Sequence, residues 1–194
     1  DLPANVKVLS DLPAGEGSDE GRAMLQNIHD IAPGAALQFA TAFGNDDGLT
    51  FANNIKALAD AGSNIIVDDV GNPYEPFFQD GIIAQAVNSV VSQGIPYFAA
   101  ARNSADHGYL STFRGVNATI TGVSPTQGRY MNFNGGSGAV VTQLPITTSG
   151  NNASIIFQFD QPFATQQPVG TGNAVTSNVQ IFILDASGAV VASG

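Results

Sequence analysis

Apolar positions in the first hundred residues switch between two rhythms. Val6-Lys7-Val8-Leu9 is a short run that predicts a strand. Met24, Ile28 and Ile31 then recur at i, i+4 and i+7, the stripe of a helix opened at Ser18 or Asp19 and stopped by Pro33-Gly34. Residues 36–43 read as a buried strand. Phe51, Ile55, Leu58 and Ala59 form a second helical stripe, ended by Gly62. Ile65-Ile66-Val67 is a strand, Phe78 to Val91 a third stripe ended by Gly94, and residues 95–101 a last strand. Helices alternating with near-continuous apolar strands predict a parallel sheet with helices on both faces.

After Phe113 the period changes. Residues 117–123, 130–133, 139–144, 154–159, 179–184 and 189–192 are short runs rich in Val, Ile and Phe, separated by Gly, Asn and Pro. Ile155/Phe157/Phe159 and Val179/Ile181/Ile183 alternate with period two, so these runs predict an antiparallel β-sandwich of jelly-roll type. Ala186-Ser187-Gly188 is a hairpin turn between the last two strands, and the Gly/Thr/Asn-rich stretch 166–177 is a loop.

Charge sharpens that division. Residues 1–113 hold 14 of the 16 acidic and 4 of the 6 basic residues, a net of −10, whereas 114–194 are neutral overall. The expected domains are therefore 1–113, α/β, and 114–194, sandwich. A net charge of −10 repels a polyanion, which argues against a nucleic-acid partner. The absence of cysteine excludes a disulfide framework, a thiol nucleophile and a thiolate metal site. No apolar run approaches the roughly 18 residues of a membrane-spanning helix. The low lysine content and the Asn, Thr and Gly richness fit an exported bacterial protein, secreted or at the cell surface, although the chain opens at Asp1 without a signal peptide.

Chemistry in an open parallel sheet is expected beyond the carboxyl ends of strands and at helix starts. Asp19 and Glu20, Asn45-Asp46-Asp47-Gly48, Asp68-Asp69 and Asn103 occupy such places. Acids in a first turn also serve the helix dipole, and Asn and Asp are ordinary turn residues. The 45–48 loop invites a structural calcium ion, but it lacks the later bidentate glutamate of an EF-hand and reads as a turn. No cofactor is indicated. His29 and His107 lack metal-ligand spacing; Asn117-Ala118-Thr119 and Asn152-Ala153-Ser154 fit a glycosylation sequon.

Asp19-Glu20-Gly21-Arg22-Ala23-Met24, followed by His29-Asp30-Ile31-Ala32-Pro33-Gly34-Ala35, resembles the histidine-bearing helix of subtilisin-like serine peptidases. That helix starts with His-Gly-Thr and ends in an Ala-Pro-x-Ala turn. Residues 97–104, Tyr-Phe-Ala-Ala-Ala-Arg-Asn-Ser, resemble the strand leading to the family's oxyanion-hole asparagine, usually Ala-Ala-Gly-Asn. Ile65 to Gly71 takes the place of the strand that walls the substrate cleft, and Val6-Lys7-Val8 that of the strand before the histidine helix. The resemblance runs in order over about residues 4–110.

It implies a subtilisin-like sheet and a serine-type endopeptidase acting on protein or peptide substrates. Glu20 stands at the histidine position, as a glutamate does in the related sedolisins, and would be the general base. Met24 stands where the sedolisin helix carries its second carboxylate, and Asp69 of the neighbouring strand could replace it. Asn103 would donate to the oxyanion. Arg102 replaces the family's glycine, a residue that allows positive φ. No Gly-Thr-Ser-x-Ala-x-Pro nucleophile run occurs; Gly136-Ser137-Gly138-Ala139 has a strand's flanks. Asp11 lies only nine residues before Glu20, too close to be the family's catalytic aspartate. Residues 154–192 resemble bacterial pre-peptidase sandwich modules, through Phe159-Asp160-Gln161-Pro162 and Asp185-Ala186-Ser187-Gly188. The expectation is a piece of an exported endopeptidase, inactive alone; the alternative is a non-catalytic peptidase-like binding or adhesion module.

Overall fold

A computed structural model describes residues 2–104, 107–136, 138–148, 150, 153–163 and 175–194. The described residues form a mixed α/β fold with three helices and four two-stranded sheets. The order is β1 (Lys7–Ser10), α1 (Glu20–Ile31), β2 (Gln38–Ala40), α2 (Leu49–Asp60), β3 (Ile66–Asp68), α3 (Ile82–Val91), β4 (Tyr97–Ala99), β5 (Gly115–Thr119), β6 (Gln127–Met131), β7 (Phe182–Leu184) and β8 (Val190–Ser193). The chain divides into two compact units, Asp1–Asn103 with Gln158–Val175, and Ser104–Phe157 with Thr176–Gly194.

In the first unit the three helices lie on the apolar stripes, but Ile31, the last member of the first stripe, is 87% exposed at the end of α1, and Phe78, the first of the third, precedes α3 and is exposed. The core is Phe51, Ala52 and Ile55 of α2, Ile66 of β3, and Ile83, Ala86 and Val90 of α3. Ile55 and Val90 are its fully buried large side chains. Burying each contributes roughly 1.5–3 kcal/mol. The starts of α2 and α3 are held by carboxylates outside the helices. The Asp46 carboxylate accepts the Thr50 amide at 3.0 Å and the Thr50 hydroxyl, capping α2 from within the 45–48 loop. Glu75 Oε1 accepts the Ala84 amide at 2.9 Å, satisfying an orphan donor in the first turn of α3.

Strand pairing is parallel, β1 with β2 and β3 with β4. The expected continuous sheet is not formed: the described strands make two ribbons, with α2 touching β1, β2 and β3. Each of these strands is three or four residues long, too short to offer a wide hydrogen-bonding edge. On β3 and β4 the face toward α2 and α3 is buried through Ile66 and Tyr97. Val67 and Phe98, paired in register on the opposite face, are 43% and 59% exposed. Helices therefore cover one face of this ribbon rather than two. Gln158 returns to this unit, its side chain bonding the Phe77 amide (2.8 Å) and the Glu75 carbonyl (3.0 Å).

The second unit contains two antiparallel pairs, β5 with β6 and β7 with β8. The β7–β8 turn is the expected one: Asp185 Oδ1 accepts the amides of Ser187 and Ala189, and Gly188 takes φ 85°. No helix occurs among the described residues of 130–192. The runs 139–144 and 154–159 are not strands, however, and Ile155, Ile156 and Phe157 remain exposed. A sandwich needs two sheets closing over such alternating side chains. Here Arg114 does part of the binding instead, donating to the Asn132 carbonyl and to the Ser111 and Tyr109 hydroxyls. Residues 166–174 of the expected loop, Asn152 of one sequon and Ser137 lie outside the described residues.

Candidate functional site

Parallel pairing in the order strand, helix, strand brings the carboxyl ends of β3 and β4 side by side. Ile66, Val67 and Asp68 face Tyr97, Phe98 and Ala99. The same offset continues past the strands, because the Arg102 guanidinium occupies the space a Cβ on Gly71 would need. Arg102 itself has φ 64°, a left-handed conformation that costs an L side chain roughly 1–2 kcal/mol. The residue before Asn103 is therefore left-handed although it is arginine.

Of the two consecutive aspartates, Asp68 is half-buried and its Oδ1 accepts the Val70 amide at 3.1 Å, whereas Asp69 is exposed. Successive strand residues point to opposite faces, which is why they separate. Asp68 lines a depression of about 340 Å³ between α3, the 70–80 segment and the β3–β4 ribbon. Its polar groups come from Asp68, Asn72, Glu75, Asp80, Asn88 and Tyr97, its apolar wall from Phe51, Ile83 and Val87. The carboxylates there are partly engaged: Glu75 caps α3, and Asp80 Oδ2 accepts from the Asn88 side-chain Nδ2 at 3.1 Å. The Tyr97 hydroxyl oxygen is out of solvent, with the Asp68 side chain beside it. Burial, reinforced by Asp68, pushes the Tyr97 phenol far above its ordinary range. None of these residues except Asp68 stood out in the sequence. The signal for Tyr97 was its phase: it lies two residues from Ile95, and both pack toward the core.

Glu20 is the first residue of α1, exposed, its amide 3.4 Å from the Ser18 hydroxyl. Gly21 beside it lies against Phe39 of β2, where a larger residue would collide with the ring. Asn103 is exposed beyond β4. No hydrogen bond joins Glu20 to Asp69, and neither they nor Asn103 line the depression. Met24 and Ile28 are half-buried on α1, as the stripe requires, and His29 Nδ1 is buried without a partner.

Among the described residues no group of three His, Asp or Glu side chains is arranged to hold a metal ion. No described helix is long and apolar enough to cross a membrane. The arrangement offers carboxylates as acceptors, with a guanidinium and an asparagine at adjoining strand ends. Comparison with family models, with curated proteins and with solved structures finds no match to this chain.

Proposed function

We propose that this chain is part of an exported bacterial serine-type endopeptidase of the subtilisin and sedolisin clan, with Glu20 as general base, Asn103 as oxyanion donor and Asp69 as the acid partner of Glu20. The observation that supports this reading best is the left-handed Arg102 immediately before Asn103, at the end of a strand paired in parallel with β3. It is the backbone turn that the resemblance requires, kept despite a side chain that opposes it. In this reading the two ribbons belong to a subtilisin-like sheet and 114–194 to a sandwich module. An amide donor at Asn103 would contribute roughly 3–4 kcal/mol to stabilising a tetrahedral oxyanion.

The 194 residues carry no helix-start serine, so the chain alone is expected to hydrolyse no casein and to take up no fluorophosphonate. Joined to a segment bearing that serine it should do both, and Glu20→Gln should lower turnover at least a hundredfold. Labelling of the 194-residue chain, or full turnover by Glu20→Gln, would overturn the assignment. A second reading, a non-catalytic binding module, is favoured by the exposed Glu20 that makes no bond to Asp69. It is the reading that stands if the joined protein binds peptide substrates without cleaving them.

A further inference from the structure

Arg102 combines features that a bystander side chain has no reason to combine. It is one of two non-glycine residues with positive φ among those described, the other being Asp47 in the loop before α2. Aspartate visits that region with local hydrogen bonding, but arginine does so rarely. Strained backbone of this kind concentrates where a side chain has work to do. The guanidinium lies against the bare Cα of Gly71, on the adjoining strand exit, so glycine there gives it a flat seat. In a chain of net charge −10, it nevertheless has neither a hydrogen bond nor an ion pair, whereas Arg22 pairs with Asp19. The two aspartates at the end of the adjoining strand do not take it. Asp68 is turned to the Val70 amide, and Asp69 is exposed and unbonded.

We propose that Arg102 is a specificity-determining carboxylate anchor, its guanidinium seated on Gly71 at the carboxyl ends of β3 and β4 and open to a bidentate contact with an anionic group of a peptide. A planar guanidinium matches a carboxylate with two parallel N–H···O bonds, which an ammonium cannot reproduce. Strand ends of a parallel α/β unit are where ligands are received. That the carboxylate belongs to a peptide rests on the endopeptidase reading. It comes either from an acidic side chain or from an α-carboxylate, including the one that hydrolysis creates.

The test is an NMR titration of this chain, following the Arg102 Nε–Hε and Gly71 amide signals. The probes are acetyl-Ala-Ala with a free carboxylate, acetyl-Ala-Glu-amide, and the neutral acetyl-Ala-Ala-amide. One or both carboxylate probes should shift both signals, which also assigns the source, and the neutral amide should not. Arg102→Gly, whose backbone accepts φ 64° without strain, should weaken the Gly71 response at least tenfold. Gly71→Ala keeps the charge but unseats the guanidinium and should weaken binding similarly; Arg102→Lys should lose several-fold. Equal shifts by the neutral amide, no shift by either carboxylate, or a full Gly71 response in Arg102→Gly would overturn the proposal. The fluorophosphonate test of the peptidase reading can fail while this titration succeeds, and the reverse, so the two claims fall separately.

Discussion

Replacing Ile55 by alanine tests the claim that the α2–α3 core holds the strand ends in place. Ile55 is 2% exposed and sits among Phe51, Ile66, Ile83 and Val90. Alanine removes three carbons, about 2.4 kcal/mol of transfer energy at about 0.8 kcal/mol each. A residual cavity of roughly 50 Å³ adds about 1.2 kcal/mol at about 24 cal/mol per Å³. The sum, about 3.6 kcal/mol, would lower a urea midpoint by about 1.8 M at a slope of about 2 kcal/mol per M. Circular dichroism at 222 nm is the right probe, because all three described helices lie in the first unit. Ile31→Ala is the matched control: Ile31 is 87% exposed at the end of α1, and its loss should stay within about 0.5 kcal/mol. If Ile55→Ala moved the midpoint no further than Ile31→Ala, the packing described here would be wrong.

Two further predictions concern pH. The Thr50 hydroxyl and amide hold the Asp46 carboxyl below the usual carboxylate range, so its stabilisation is present above the unfolded pKa of about 3.9 and is lost as pH falls through the folded value. Asp46→Asn should accordingly be less stable than the parent at pH 7 and lose less on acidification to pH 2, read by thermal melts across that range. Tyr97 behaves oppositely: its phenol pKa is raised by burial and then by Asp68, so its contribution is present below the unfolded pKa of about 10 and disappears as pH rises above it. In a 295 nm titration Tyr97 should ionise only as the first unit opens, and Tyr97→Phe should delay that alkaline transition; an unchanged transition would refute the burial argument.

The first half of the chain was legible because helix periodicity is a long-range signal. Met24/Ile28 and Phe51/Ile55 recur one turn apart and Ile83/Ala86/Val90 over two turns, and their helices are found where the stripes lie. Parallel pairing followed from the alternation with apolar strands. The joining of ribbons into a sheet did not follow, since it depends on edges of β1 and β3 about which side-chain pattern says nothing. In the second half, alternation at Ile155/Phe157/Phe159 specified which faces a strand would have, but among the described residues this run is not a strand, and Ile155 and Phe157 stay exposed. At the candidate site, the position before Asn103 where the resembled family has glycine was readable in the sequence; that Arg102 itself turns left-handed there was not. The seat of the Arg102 guanidinium on Gly71 was not, being a contact between residues thirty-one apart.

The first-turn position of Glu20 does not by itself distinguish the two functional readings. A glutamate there is favoured by the helix dipole whether or not it ever takes a proton. What a base toward a serine hydroxyl needs is a drier surrounding or a second carboxylate close by, either of which makes the carboxylate hold a proton more readily. Glu20 is exposed and unbonded to Asp69, and Met24 supplies no charge one turn on. The catalytic reading therefore demands that something cover the start of α1 when substrate is engaged, whether the substrate itself or the segment bearing the serine. The demand has a measurable consequence. In the joined protein, Glu20→Gln should abolish the acidic limb of the kcat/KM–pH profile along with the rate, whereas a glutamate serving only the dipole would cost a few tenths of a kcal/mol in stability and leave that limb where it was.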